Sequence, residues 1–185
     1  EAIDIWSVGC IYAELLGMLE GTKTEDRGPL FPGSSCFPLS PDHRHKTDYK
    51  YHTRGKHDQL NMIFNLLGTP PERDISRLER DDAKRYMQCF ARREGDGLRS
   101  KFPKVEADSV DVLERMLRFS PDERCTVTEA LDHPLFVDIR DSSKETVASQ
   151  IVILDFEKEP DLDESLLRRY FFNEIRRYHP ELAGP

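Results

Sequence analysis

The sequence contains no C-x-x-C pair. Its four cysteines, Cys10, Cys36, Cys89 and Cys125, stand far apart, which argues against a disulfide framework or zinc site and for free thiols in a reducing compartment. No apolar run approaches the roughly 18 residues of a membrane span. Positive charge is not in excess either. The net charge is -8, so a general nucleic-acid or anionic-membrane partner is not favoured. Neither an initiator Met nor a signal peptide opens the chain, and the expectation is a piece of something longer. No internal repeat occurs, and no alternating pattern is long enough for a sheet. What is present is 185 residues, 37% apolar and 34% charged, enough for one domain with a real core.

The opening stretch "EAIDIWSVGCIYAELLG" reads as a helix with almost no polar side. From Ile5 to Leu19 only Ser7 and Glu14 are strongly polar, so burial inside a domain is the expectation. Gly9 costs a helix interior about 1 kcal/mol against Ala, and close approach of another backbone is one reason to tolerate it. Residues 21 to 57 look irregular, broken by Pro29, Pro32, Pro38 and Pro41. From Pro41 to His57 this loop carries five Lys/Arg, two Asp and four of the six histidines. Periodicity returns with Leu60, Ile63, Phe64 and Leu67 on one helical face. Asp58 can cap that helix, and Gly68 with Pro70 and Pro71 can end it. A charged helix is expected from about Ile75 to Phe90. "DSVDVLERMLRF" makes another amphipathic helix, with Leu113, Met116 and Leu117 inward. Ser120-Pro121-Asp122 makes a turn, and Thr126 with Glu129 forms a capping box for a short helix that ends before His133-Pro134. Residues 138 to 164 hold nine acidic and three basic side chains. Within them "QIVILDF" is either a short strand or an extended segment docked on a surface. Asp163 then starts a last helix, with Leu167, Phe171, Ile175 and Tyr178 along one stripe. The class is mainly α.

The residues alone disclose no active site. His43 and His45 stand two apart, with no third fixed ligand, and a solvated basic loop is favoured over a metal site. "GDG" at 95 to 97 lacks the third glycine and the preceding strand of a phosphate loop. "HRH" is not an H-R-D catalytic loop, and D-F-G and V-A-I-K do not occur. Without a G-x-S-x-G elbow, a hydrolase reading has nothing specific behind it.

Taken in order, however, the motifs resemble the C-terminal lobe of a eukaryotic protein kinase. "DIWSVGCIYAELL" (4 to 16) is similar to the central helix of that lobe, and "SPDERCTVTEALDHPLF" (120 to 136) to its closing segment. "PLFPGSS" followed by "DQLNMIFNLLGTPPERDI" narrows the likeness to the branch of mitogen-activated and cyclin-dependent kinases. The tail "ILDFEKEPDLDESLLRRYFFNEIRRYHP" resembles the C-terminal extension of mitogen-activated protein kinases. The expected division is a partial kinase C-lobe at 1 to 140, with a loop inserted at about 38 to 55, followed by the extension at 141 to 185.

The resemblance implies a mainly α fold and a parent serine/threonine kinase that uses ATP and magnesium. N-lobe and catalytic loop would lie outside the chain, and the chain alone would be inactive and bind no metal or nucleotide. Asp4 matches the aspartate at the helix entrance whose carboxylate holds backbone N–H groups of the catalytic loop. Trp6 is packing and Gly9 a close contact, while Arg124 matches the arginine that pairs with a glutamate at the end of the activation segment. Asp138 and Asp141, with Glu145 nearby, are candidates for an acidic docking site for basic peptides, although Lys144 stands where a second acid is usual. His57, Leu60 and Tyr86 would line a hydrophobic docking pocket, in which Lys56 replaces the expected aromatic. Implied partners are protein substrates, an upstream activating kinase and docking-motif peptides, with no nucleic acid and no membrane, in the cytoplasm or nucleus. Two rival readings are a cyclin-dependent-type kinase, which usually lacks such a tail, and a non-catalytic pseudokinase or scaffold module.

Overall fold

A computed structural model of the chain describes residues 1–19, 23–33, 58–151 and 153–182. The inserted loop at about 38 to 55, with His43 and His45, lies outside the described residues, as do Cys36, Lys56 and His57. Among the described residues there are helices and turns and no strand. Two compact units divide the chain, Glu1–Arg140 and Asp141–Pro185.

The first unit is organised by α1 (Ala2–Leu16), which buries Ile5, Gly9, Ala13 and Leu16 along one stripe. Its partner is α6 (Ala107–Met116), whose buried face is Val110, Val112, Leu113 and Met116. Gly9 lets them close. A Cβ built on it would lie 2.9 Å from Leu117 Cδ2 and 3.0 Å from Met116 Cβ, so a side chain there would displace the facing helix. Around this pair, α5 (Leu98–Lys101) adds Leu98, and Phe102 follows it into the same cluster. On the other side α7 (Val127–Leu131) packs Ala130 against Ile5, Val112, Met116 and Cys125. The α7 start carries the expected capping box, with Glu129 N donating to Thr126 Oγ1 and Thr126 N to the Glu129 carboxylate.

A second cluster gathers around α2 (Gln59–Leu67). Asp58 caps it by accepting from Asn61 N at 3.1 Å, and Gly68 closes it at φ 85°. That positive φ and the approach of Glu94 O to 2.4 Å of a built Cβ leave room only for glycine. Residues 93 to 97 strap the end of α2, with Thr69 N donating to Arg93 O at 3.0 Å and Gly97 N to Leu66 O at 2.8 Å.

The charged helical stretch expected from about Ile75 to Phe90 resolves into two helices, α3 (Glu72–Ser76) and α4 (Asp81–Met87). The reason is core geometry. Twelve residues of continuous helix would hold Ile75 and Met87 about 18 Å apart, yet both pack in one cluster with Phe64, Tyr86 and Phe90. The turn between the helices folds them onto Phe64, which meets Phe90 edge-on at 5.0 Å between ring centroids.

In the second unit, α8 (Glu164–Tyr178) begins at Asp163, which accepts from Leu166 N at 2.7 Å. Phe156 packs on Tyr170 and Phe171, each with ring centroids 6.3 Å apart. Tyr170 donates its hydroxyl to Glu159 Oε1 at 2.6 Å. In the stretch read as a strand or docked segment, no strand forms among the described residues. Ile151 and Ile153 are exposed, and residues Asp155–Lys158 make a 3-10 turn. With no neighbouring strand to pair its amides, the backbone there closes on itself.

Candidate functional site

Of the residues singled out in the first helix, Trp6 meets Arg124. This side chain leaves the 3-10 turn Pro121–Glu123 and turns inward, where its guanidinium donates to three carbonyls: Arg118 O at 2.7 Å, Ala2 O at 2.8 Å and Phe119 O at 3.0 Å. Its plane lies over the Trp6 ring, 4.9 Å from the centroid, and Trp6 stacks on Phe31 at 5.9 Å. One cation therefore ties the end of α6 to the first turn of α1. Burial pulls the Arg124 pKa below its ordinary value, against a smaller upward pull from Cys10. Burial likewise raises the Cys10 thiol, helped by the charge of Glu14 and opposed by that of Arg124. Among the described residues no carboxylate pairs with Arg124, whose charge rests on carbonyl dipoles.

Asp4 sits in the first turn of α1 with its side chain 83% exposed, 4.0 Å from the amino terminus. No backbone N–H among the described residues donates to it. Beside it an apolar row, Ile3, Val8, Ile11 and Leu15, lies open on the face of α1 away from α6, with Ile3 73% exposed. The helix entrance thus presents a carboxylate and a greasy edge together.

The docking residues fall on either side of the boundary between the two units. Asp138 is exposed near the end of the first unit. In the second unit Asp141 accepts from Ser143 N at 3.1 Å and Ser143 Oγ at 2.5 Å, and pairs with Lys144 at 3.2 Å. The Ser143 hydroxyl first, then Lys144, hold its carboxyl below the usual range. Glu145 is exposed.

Of the residues expected at a hydrophobic docking pocket, Leu60 and Tyr86 are buried in the second cluster. Tyr86 is 0% exposed, packs edge-on against Phe90 and gives its hydroxyl to the equally buried Asp58. The Asp58 carboxylate, which caps α2 with one oxygen, holds Tyr86 with the other. That pairing spans 28 residues, and no local pattern announces it.

Sequence reasoning also missed a buried polar group at His133. Its Nδ1 accepts from Leu135 N at 3.2 Å, so Nε2 carries the proton toward Asp111 Oδ2 at 2.9 Å when the ring is neutral. Arg115 reaches the same oxygen at 2.8 Å. This His–Asp–Arg chain pins α6 to the segment after α7. Among the described residues no three His, Cys, Asp or Glu side chains converge as metal ligands.

No family model matches the chain. Over 181 residues, 98% of its length, it is 37% identical to Extracellular signal-regulated kinase 1 of Dictyostelium discoideum. It is 33% identical over 181 residues to Mitogen-activated protein kinase 5 of Oryza sativa subsp. indica, and 32% over 180 to Mitogen-activated protein kinase 7 of Arabidopsis thaliana. The chain is a relative of the mitogen-activated protein kinases. It spans 28%, 41% and 40% of these three curated relatives. The mainly α build agrees with the helical C-lobe of a protein kinase.

Proposed function

We propose that this chain is the lower-lobe part of a serine/threonine protein kinase of the mitogen-activated type, and that it contributes scaffold and docking surface while residues outside it bind the nucleotide. One observation carries the reading: kinase similarity extends over 98% of the chain and includes the helix on which Asp4, Trp6 and Gly9 stand. The parent enzyme transfers the γ-phosphate of ATP to Ser or Thr hydroxyls of protein substrates during intracellular signalling, in the cytoplasm or nucleus, and is itself switched by an upstream kinase. Such transfer depends on positioning and on charge stabilisation by magnesium. The residues here do not fit that group. H-R-D and D-F-G are absent from the sequence, and the described carboxylates do not converge, so no chemical step is assigned to this chain.

What its own residues do is hold others. The exposed Asp4 carboxylate at the start of α1 accepts backbone N–H groups from a neighbouring loop, and the row from Ile3 to Leu15 is covered by the same neighbour. Arg124, which spends three of its five donors on carbonyls, keeps two for a glutamate of the activation segment. Asp138, Asp141 and Glu145 receive basic docking peptides, weakened at Asp141 by Lys144. Among the described residues no helix is long and apolar enough to cross a membrane.

The test compares two preparations. The native-length protein that contains this chain, isolated from its source, is assayed for ATP–magnesium-dependent phosphorylation of a protein substrate with Ser-Pro and Thr-Pro sites. The 185-residue chain is titrated with ATP–magnesium by calorimetry. Phosphoryl transfer by the first and no binding by the second is the expected result. A native-length protein that transfers nothing would support the non-catalytic scaffold instead, and micromolar binding by the chain alone would overturn the placement of the nucleotide site.

A further inference from the structure

We propose that Ser76, at the end of α3, is a phosphorylation site for a separate arginine-directed serine/threonine kinase, and that its phosphate takes Arg73 and Arg77 from the acidic turn Pro121–Glu123. This inference is independent of the kinase reading of the chain. Two ion pairs tie α3 to that turn. Arg73 Nη2 donates to Glu123 Oε1 at 2.5 Å, and Arg77 Nη1 stands 3.7 Å from Asp122 Oδ2. In the stretch "RDISR", Ser76 lies between the two arginines. It is exposed, and its hydroxyl donates to Arg73 O at 2.7 Å.

These positions fix both the enzyme class and the consequence. An arginine three residues before the acceptor is a charge pattern by which a kinase selects its substrate. In the transfer, Ser76 Oγ attacks the γ-phosphorus of ATP. The bond to the β,γ-bridging oxygen breaks with release of ADP, and the hydroxyl proton passes to the modifying enzyme's base. The product carries nearly two negative charges at neutral pH and offers three acceptor oxygens. Arg73 shares a helical face with Ser76, and Arg77 is next in the chain. Their present partners are held weakly, since all four side chains of the two pairs are at least 38% exposed. A phosphate dianion competes well with a single carboxylate for a guanidinium. Asp74 and Ile75, just before the acceptor, are buried, so the segment must open for Ser76 to enter a kinase groove. A helix of five residues opens at small cost. Ser143 also follows an arginine, Arg140, by three residues, but its hydroxyl donates to the Asp141 carboxylate at 2.5 Å, which repels a second anion.

The full chain is incubated with ATP–magnesium and a kinase of the calcium/calmodulin-dependent class, and the phosphate is mapped by mass spectrometry. A peptide spanning residues 70–80 is the unfolded reference. The expected result is phosphate on Ser76 at a rate within about a hundredfold of the peptide's, the ratio set by the opening of α3. Arg73→Gln should slow the reaction at least about tenfold. Phosphoserine encoded at position 76 reports the capture by 31P NMR. Its second pKa should lie about half a unit below the value in the urea-unfolded chain, and Arg73→Gln with Arg77→Gln should abolish that difference. A peptide that is modified while the folded chain is not, phosphate confined to other positions, equal 31P pKa values in folded and unfolded chains, or a difference that persists without both arginines overturns the proposal. Where the double variant fails to fold, the 15N side-chain resonances of Arg73 and Arg77 in the unaltered chain decide: they must move on phosphorylation of Ser76, and static resonances overturn the capture.

Discussion

Helices α6 and α8 carry the same kind of pattern and meet different fates. In α6 every apolar position that faces inward is buried, from Val110 to Met116. In α8 the stripe of Leu167, Phe171, Ile175 and Tyr178 is as regular, yet no residue of the helix is buried. The second helix is held mainly by local devices. Asp163 caps it, Arg168 bonds Glu164 one turn away at 2.9 Å, and Arg176 lies over Phe172 at 5.7 Å. Each of these is worth a few tenths to about 1 kcal/mol, whereas burying one leucine contributes about 2 kcal/mol. Periodicity therefore establishes that a face exists, and only a covering partner converts it into stability.

The largest test of this contrast is truncation of one side chain in each helix. Leu113→Ala in α6, where the side chain is fully buried, should cost about 3 to 5 kcal/mol through lost transfer energy and cavity formation. Phe171→Ala in α8 should cost less than about 1 kcal/mol. The single tryptophan, Trp6, reports unfolding of the first unit by fluorescence in urea. Its midpoint should fall sharply for the first variant and stay put for the second. Comparable shifts would break the contrast.

Gly9→Ala comes next. The new methyl meets Leu117 and Met116 inside contact distance, so overpacking should cost about 1 to 3 kcal/mol, although alanine is the better helix former. A gain in the Trp6 midpoint would show that α1 and α6 can part without penalty. A smaller effect is expected from Asp163→Ala, about 1 kcal/mol confined to α8. It should appear as lost ellipticity at 222 nm with the Trp6 transition unmoved.

The smallest effect is electrostatic. The His133 ring, and after it Arg115, hold the Asp111 carboxyl below the usual carboxylate range. A depressed folded-state pKa means that the folded chain binds fewer protons than the unfolded one. The contribution is complete above the ordinary carboxylate pKa and disappears as pH falls through the lower, folded value. Asp111→Asn should flatten the acid limb of the urea midpoint against pH, and by little, because the Asp111 side chain is 38% exposed. An unchanged acid limb would show that His133 is held by packing alone.

Signals that act within one helical turn were legible without the structure. The Asp58 cap, the Gly68 stop, the Thr126–Glu129 box and the Asp163 start all stand where the residues place them. Contacts made across the fold were not. The break between α3 and α4 arises because Ile75 and Met87 share Phe64 as a neighbour, which composition does not encode. The Tyr86–Asp58 pairing joins residues 28 apart in the chain. Arg124 was read for a carboxylate, and its three carbonyls come from positions 2, 118 and 119, only two of them nearby in sequence. Asp74 gave no sign at all, since a charged residue in the first turn of a short helix is ordinarily solvated.

For α1 the sequence by itself determined a helix that is apolar on nearly every side, with an acid at its entrance and a glycine at its middle. Which stripe of that helix is covered was decided by tertiary structure alone: Ile5, Gly9, Ala13 and Leu16 lie inward, and Ile3, Val8, Ile11 and Leu15 open outward. The hydrophobic effect has no direction. It drives apolar surface out of water, and the shape of α6 selects the face narrow enough, at Gly9, to let the two helices meet.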